Sequence, residues 1–268
     1  MTNVAILGAS GRMGRALTGL IAAADDLQLV GATARSDSPA AGSDAGVLAG
    51  VGALGITLGD SVEQALDNAD VAIDFTLPAA LAGNLAVATD RRCPLVIGTT
   101  GVDADGVAAI EATARSLPVV FAANYSSGVT LLQRLVRTAA AALGEDYDVE
   151  IVEAHHRGKR DAPSGTARAL GASAAEGRGV DLSSAAVYTR EGLTGERPAG
   201  AIGFAALRGG DIVGEHTVML AGDGERLELT HRAASRETFA RGALRAARWV
   251  ISQPAGRYDM DDVLGLGT

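Results

Sequence analysis

The sequence predicts an α/β protein in which an N-terminal doubly wound parallel sheet is followed by an α+β part with a mixed or antiparallel sheet. Three observations carry this. Short apolar runs alternate with stretches of helical spacing through the first half of the chain. A glycine-rich turn, Gly8-Ala9-Ser10-Gly11-Arg12-Met13-Gly14, joins the first run to the first helical stretch. Past Tyr147 the runs alternate apolar and polar and are separated by Gly-rich turns.

The apolar runs of the first half are Val4–Leu7, Leu27–Ala32, Val71–Phe75, Leu95–Ile97 and Val119–Ala122. Helical spacing fills Arg12–Ala24, Pro78–Asp90 and Asp103–Ser116, which gives the β-α-β-α rhythm of a Rossmann-like unit. Ser36–Gly55 reads as loop with room for a short helix, and Val129–Leu143 as a helix. In the strand after Tyr147, Val149 and Ile151 share one face while Glu150 and Val152 share the other. Ala201–Leu207, Ile212–Leu220 and Leu227–His231 follow as strands, with Gly209-Gly210 and Gly222-Asp223-Gly224 expected as hairpin turns. Thr238–Ile251 is helical again. The pattern therefore divides residues 1–125, expected as a dinucleotide-binding domain, from residues 126–235. Residues 236–268 are expected as a C-terminal helix returning to the first.

Composition narrows the function classes. With 47% apolar but only 3% aromatic residues, the core must be built of Ala, Val, Leu and Ile, as where helices cover a parallel sheet. A net charge of −9 opposes binding to nucleic acid or anionic membrane and leaves anionic ligands to local basic clusters. Cys93 is the one cysteine, which excludes an intramolecular disulfide and a cysteine-based zinc site. No basic leader region and no apolar run of membrane-spanning length are visible, so a cytoplasmic protein is expected.

The turn after the first strand has the spacing GxxGxxG. Gly8 permits the tight turn, Gly11 lets backbone approach a pyrophosphate, and Gly14 lets the helix lie close to the sheet. A plain structural turn would use glycine too, and it is the position between strand and helix that favours nucleotide. The second strand ends in Thr33-Ala34-Arg35-Ser36, with a guanidinium and no carboxylate. Arg35 can fork onto a 2′-phosphate, which favours NADPH over NADH, or stand as a solvated surface arginine. Gly98-Thr99-Thr100-Gly101 and Ala122-Ala123-Asn124-Tyr125 follow two further strands, where ligands of open α/β sheets bind. Their small and hydroxyl side chains suit a nicotinamide ring, and they suit ordinary turns equally.

The densest chemistry lies in Glu153-Ala154-His155-His156-Arg157-Gly158-Lys159-Arg160-Asp161-Ala162-Pro163-Ser164-Gly165-Thr166, where five basic side chains fall within the six positions 155–160. Such a cluster suits an anionic substrate, and the histidines suit proton transfer near neutral pH. Ser164-Gly165-Thr166 then precedes an Ala-rich helical run, Ala167–Ala175, and a capped helix N-terminus attracts a carboxylate. A solvated basic loop is the competing reading. A metal site lacks ligand spacing, and a nucleic-acid patch lacks interleaved aromatics.

These segments together resemble the dihydrodipicolinate reductase family, as do Ile73–Thr76, Val96–Gly101, Thr189–Gly192, Gly210–His216 and Asp259–Leu264. The resemblance covers almost the whole chain and implies that residues 126–235 are a substrate-binding and oligomerisation domain. Its most specific part is the His-His-x-x-Lys loop followed by the Ser-Gly-Thr cap. It implies NAD(P)H-dependent reduction of 4-hydroxy-tetrahydrodipicolinate, a cyclic imine dicarboxylate, in the diaminopimelate route to lysine, by a cytoplasmic homotetramer. It places the proton donor at His155 and a second catalytic cation at Lys159, with substrate contacts at His156, Gly165 and Thr166. Cofactor contacts fall on Gly8, Ala9, Ser10, Gly11, Arg12, Met13, Gly98, Thr99, Thr100, Ala122, Ala123, Asn124 and Tyr125. This chain departs from the family at Ala34, where many members carry Glu, and at Tyr125, where others carry Phe. A nucleotide sensor without catalysis and a dehydrogenase of another amino or imino acid are the alternatives. The intact loop and the dicarboxylate cap argue against them.

Overall fold

Residues 1–267 are described by a computed structural model, and the chain separates into two units: Met1–Ser127 together with the chain from Arg236 onward, and Gly128–Ser235. In the first unit, β1 (Thr2–Leu7), α1 (Arg12–Ala22), β2 (Leu27–Ala32), α2 (Ala45–Ala49), α3 (Val62–Leu66), β3 (Val71–Asp74), α4 (Pro78–Arg91), β4 (Leu95–Ile97), α5 (Ala104–Ala114) and β5 (Pro118–Phe121) follow in order. The second unit is built from α6 (Ser127–Leu143), β6 (Asp148–His155), α7 (Gly165–Arg178), α8 (Leu182–Ala185), β7 (Ala186–Val187), β8 (Ile202–Arg208), β9 (Gly214–Gly222) and β10 (Glu225–Ala233). α9 (Glu237–Val250), β11 (Gly256–Tyr258) and α10 (Met260–Leu264) then complete the first unit.

The six strands of the first unit form a parallel sheet in the order β11-β5-β4-β3-β1-β2. The period of two along each strand explains the unbroken apolar runs. Val4, Ile6, Ile73 and Val96 pack on one face with Leu17, Ile21, Ala243 and Leu244 of α1 and α9. Ala5, Leu7, Ala72 and Ile97 pack on the other with Leu66, Leu81, Leu85 and Ile110 of α3, α4 and α5. Both faces are buried, so an apolar residue is favoured at every strand position. The chain runs outward to β2 on one side of β1 and to β3 on the other, which makes the carboxyl end of β1 the switch point of the sheet. The glycine turn stands there.

In the second unit the sheet is mixed, in the order β10-β9-β6-β8-β7. The Gly222-Asp223-Gly224 turn joins the antiparallel neighbours β9 and β10 as a hairpin. Gly209-Gly210 does not make the expected hairpin: β6 lies between β8 and β9, parallel to the first and antiparallel to the second. Glycine pairs report a chain reversal but not which strand pairs across it, and the long register of β6 with both neighbours takes the central place. One face of this sheet, with Val149, Ile151, Ile202, Val218 and Leu220, packs on Leu132, Val136 and Ala140 of α6 and Ala167, Leu170 and Ala174 of α7.

Candidate active site

Two clusters of the predicted residues form, one within each unit. In the first unit a cavity of about 410 Å3 opens at the switch point, lined by Gly8, Gly11, Arg12, Met13 and Gly14 and by Gly98, Thr100, Ala123, Asn124 and Tyr125. Gly8 has φ +85°, a left-handed conformation that disfavours side chains. A Cβ on Gly14 would meet Ala9 Cα and Gly8 O at 2.5 Å, so this position fixes how closely α1 approaches the turn. The N-cap is Gly11, which offers no side-chain acceptor, and the first turn carries no acidic residue. Arg15 Nε donates to Ser10 O at 3.0 Å and pins the turn. This cradle of glycine backbone at a helix N-terminus fits a dinucleotide pyrophosphate.

Not every predicted residue reaches the cavity wall. Ala9 and Thr99 are buried behind it, and Ser10 and Ala122 lie beside it in sequence without lining it. Arg35 is exposed at the end of β2, with Nε 3.3 Å from Asp37. Sequence reasoning missed Phe75, Thr76, Leu77 and Phe239 as lining residues. The Ile73–Thr76 segment carried a signal for the first two, but Phe239 sits on α9 and had none. Asp74, wholly buried, holds this edge by accepting from Thr76 N (2.8 Å), Thr76 Oγ1 (2.6 Å) and Asn84 Nδ2 (2.8 Å). The Tyr125 hydroxyl donates to Ile97 O at 2.9 Å or Val120 O at 3.1 Å and so ties the ends of β4 and β5.

In the second unit the alternation of β6 carries the chemistry. Val149 and Ile151 face the core, and Glu153 and His155 continue the same stripe where β6 leaves it. The register sets Glu153 opposite His216 of β9 and His155 opposite Arg208 of β8. His155 Nδ1 lies 2.6 Å from Glu153 Oε2. Arg208 forks onto both Glu153 oxygens at 2.8 Å and donates to Asp161 O at 2.7 Å, while Ser164 N donates to Glu153 Oε1 at 3.1 Å. Burial by itself would raise the Glu153 carboxyl, but Arg208, His155 and the Ser164 N–H outweigh it and hold it below the usual carboxylate range.

Ser164 caps α7 by accepting from Ala167 N at 3.1 Å, and its hydroxyl meets His216 Nε2 at 3.0 Å. Gly165 and Thr166 already belong to the first turn, two residues ahead of the expected run Ala167–Ala175. Burial, and then the neighbouring His155, push His216 down to about 4, so it stays neutral at physiological pH. Lys159 Nζ contacts both Asp161 oxygens at 2.8 Å. His156 is half-buried in the same loop. Sequence reasoning gave no role to Glu153, Arg208 or His216. Their part follows from the register of three strands, which no local pattern reveals. Among the described residues no cluster of three or more His, Cys, Asp or Glu suited to a metal ion occurs, and no helix is long and apolar enough to cross a membrane.

A nucleotide cradle at a Rossmann-type switch point, together with a second unit that holds a buried Glu–His–Arg cluster, fits the class of nicotinamide-dependent oxidoreductases. Comparison with known proteins agrees. Residues 2–125 match the family described as dihydrodipicolinate reductase, N-terminus, and residues 128–264 match dihydrodipicolinate reductase, C-terminus. The 4-hydroxy-tetrahydrodipicolinate reductase of Alkalilimnicola ehrlichii is 56% identical over 265 residues, 99% of either chain. The protein of that name from Anaeromyxobacter sp. is 55% identical over 99% of this chain and 98% of its own. In fold, the dipicolinate-bound dihydrodipicolinate reductase of Paenisporosarcina sp. TG-14 superposes with a TM-score of 0.77 at 22% identity, covering 97% of each chain. This chain belongs to the dihydrodipicolinate reductase family.

Proposed function

We propose that this chain reduces 4-hydroxy-tetrahydrodipicolinate to tetrahydrodipicolinate with a reduced nicotinamide dinucleotide, in the diaminopimelate route to lysine. The observation that carries this is the identity of 56% and 55% with reductases of that name over 99% of the chain. The first unit takes the nucleotide: Gly8, Ala9, Ser10, Gly11, Arg12 and Met13 surround the pyrophosphate, while Gly98, Thr99, Thr100 and Ala122–Tyr125 serve the nicotinamide. The second unit takes the substrate and, by the family resemblance, forms a homotetramer in the cytoplasm. Light scattering on the purified chain tests the assembly.

The substrate's 4-hydroxyl leaves as water, and a bound reduced nicotinamide would supply the hydride that reduces the resulting dihydro ring. The residues of this chain do the rest. His155 delivers the proton that quenches the negative charge left on the reduced ring. Lys159 exchanges its exposed Asp161 partner for a substrate carboxylate, and His156, Gly165 and Thr166 hold the dicarboxylate at the positive end of α7. The dipicolinate named in the Paenisporosarcina structure is a ligand of this chemical class. NADPH is the preferred cofactor and NADH the second, because Arg35 can grip a 2′-phosphate and Ala34 offers no carboxylate to the ribose.

The test condenses pyruvate with aspartate semialdehyde in situ and follows consumption of NADPH and of NADH. Substrate-dependent oxidation of either is the expected result. None with either cofactor would refute the proposed reaction.

A further inference from the structure

We propose that Glu153, locked in place by Arg208, is a positioning residue that fixes the ring of His155 with its proton on Nδ1, leaving Nε2 as the nitrogen that exchanges the catalytic proton. The inference rests on the assignment of His155 as proton donor in the proposed reaction. It adds the identity of the working atom and the groups that select it.

A neutral imidazole carries its proton on either nitrogen, and a partner on one nitrogen decides the question. Glu153 is 1% exposed and receives the Arg208 fork and the Ser164 N–H. A carboxylate so held is ionised and accepts only. Its fourth contact, at 2.6 Å from Nδ1, must therefore be an N–H donated by His155. Nε2 has no hydrogen-bond partner among the described residues and is not sealed from solvent. Gly214 of β9 adjoins it, where a Cβ would stand 3.1 Å from Nε2.

The other groups around the ring do not contest the arrangement. His216 of β9 meets it edge-on at 5.1 Å between centroids and is buried and neutral. The Lys159 charge in the loop is countered by Asp161, and α7 contributes Ser164 through its N–H and hydroxyl. Arg208 of β8 commits its fork to the carboxylate and holds the loop through Asp161 O. When His155 takes up a proton, the imidazolium is stabilised at Nδ1 by an ionised carboxylate and presents N–H at Nε2. After transfer, the same contact keeps the ring oriented for the next proton.

The deciding measurement is on the wild-type chain. With isotope-labelled histidine, ring nitrogen resonances are recorded above the titration of His155, whose signals are assigned among the four histidines by their loss in His155→Asn. The expected result is a protonated Nδ1 and an unprotonated Nε2; the reverse tautomer, or an even mixture, overturns the proposal. Glu153→Gln supplies the functional arm. Its amide oxygen can still accept from Nδ1 but carries no charge. The expected outcome is a fall in kcat of at least about tenfold with KM for the substrate and Kd for NADPH unchanged. A melting temperature that drops while kcat stays in place would make Glu153 merely structural and overturn its role. If this variant does not fold, the wild-type resonances decide alone. A wild type with the expected tautomer but no reductase activity refutes the reaction and leaves the tautomer assignment standing.

Discussion

Loss of His155 and Lys159 should cost turnover without costing cofactor affinity, because the two side chains belong to the second unit and the nucleotide cavity to the first. General acid–base groups each contribute ~10²–10⁴-fold, so the double alanine variant is expected to lose several orders of magnitude in kcat while NADP+ binding, followed by calorimetry, is retained. Near-normal turnover would remove both residues from the mechanism. At the other end of the reaction, Arg35 is legible in the sequence as a cation at the end of β2, but its pairing with Asp37, two residues on, emerges only in the structure. On the proposed reading, Asp37 would compete with a 2′-phosphate for the same guanidinium. Arg35→Ala should therefore lower the NADPH/NADH ratio of kcat/KM about tenfold, the worth of one charge-assisted hydrogen bond. Asp37→Asn should raise it. Ratios that stay put in both variants would mean that the end of β2 does not read the phosphate.

Among the elements, those of the parallel unit are the most legible in the sequence. β2 and β4 have the expected limits, and β1, β3, β5, α1, α4 and α5 differ by a few residues at their ends. The reason is local: a strand covered on both faces must be apolar throughout, and the helices between must carry a stripe. α3, of five residues, is too short to show a helical period, and β11, Gly256-Arg257-Tyr258, lacks the apolar run that marks the equally short β4. The central place of β6 is hidden because strand order is a long-range property. The junction of β1 and α1 gives an element-scale test. In Gly14→Ala the new methyl would stand 2.5 Å from backbone atoms of Gly8 and Ala9, which cannot swing aside as a side chain can. The helix start and the glycine turn must separate. Overpacking of this kind costs about 1–3 kcal/mol, and NADP+ affinity should fall with it because the phosphate cradle is the part displaced. A variant that melts and binds NADP+ like the wild type would show that the close approach at Gly14 is dispensable.

At the scale of the whole molecule, sequence and structure part company over which residues are buried with their polar groups. The basic loop reads as chemistry because its charges are dense, yet the group that most couples the site to stability is His216, which stands alone on β9 in an otherwise ordinary strand pattern. Its depressed affinity for protons makes folding depend on pH. Above pH 6.5 His216 is neutral whether folded or not. As pH falls below 6.5 the unfolded chain gains a proton that the folded chain refuses until about pH 4. Stability is thus lost progressively between those limits, by up to about 3 kcal/mol, since each tenfold difference in proton affinity between the two states is worth about 1.4 kcal/mol. His231, also lowered by burial, acts in the same direction. Glu153 and Glu150, held below the usual carboxylate range, lose their contribution only at still lower pH, below about 4.3 where unfolded carboxylates begin to protonate. The window from pH 6.5 to about 4.5 therefore belongs mainly to the histidines. Melting curves recorded across it should show the wild type losing about 5 °C or more, and His216→Gln, whose amide can still meet the Ser164 hydroxyl, losing much less. Equal slopes for the two proteins would mean that His216 takes up its proton as readily in the folded chain as in the unfolded one, and its burial would then not be what keeps it neutral.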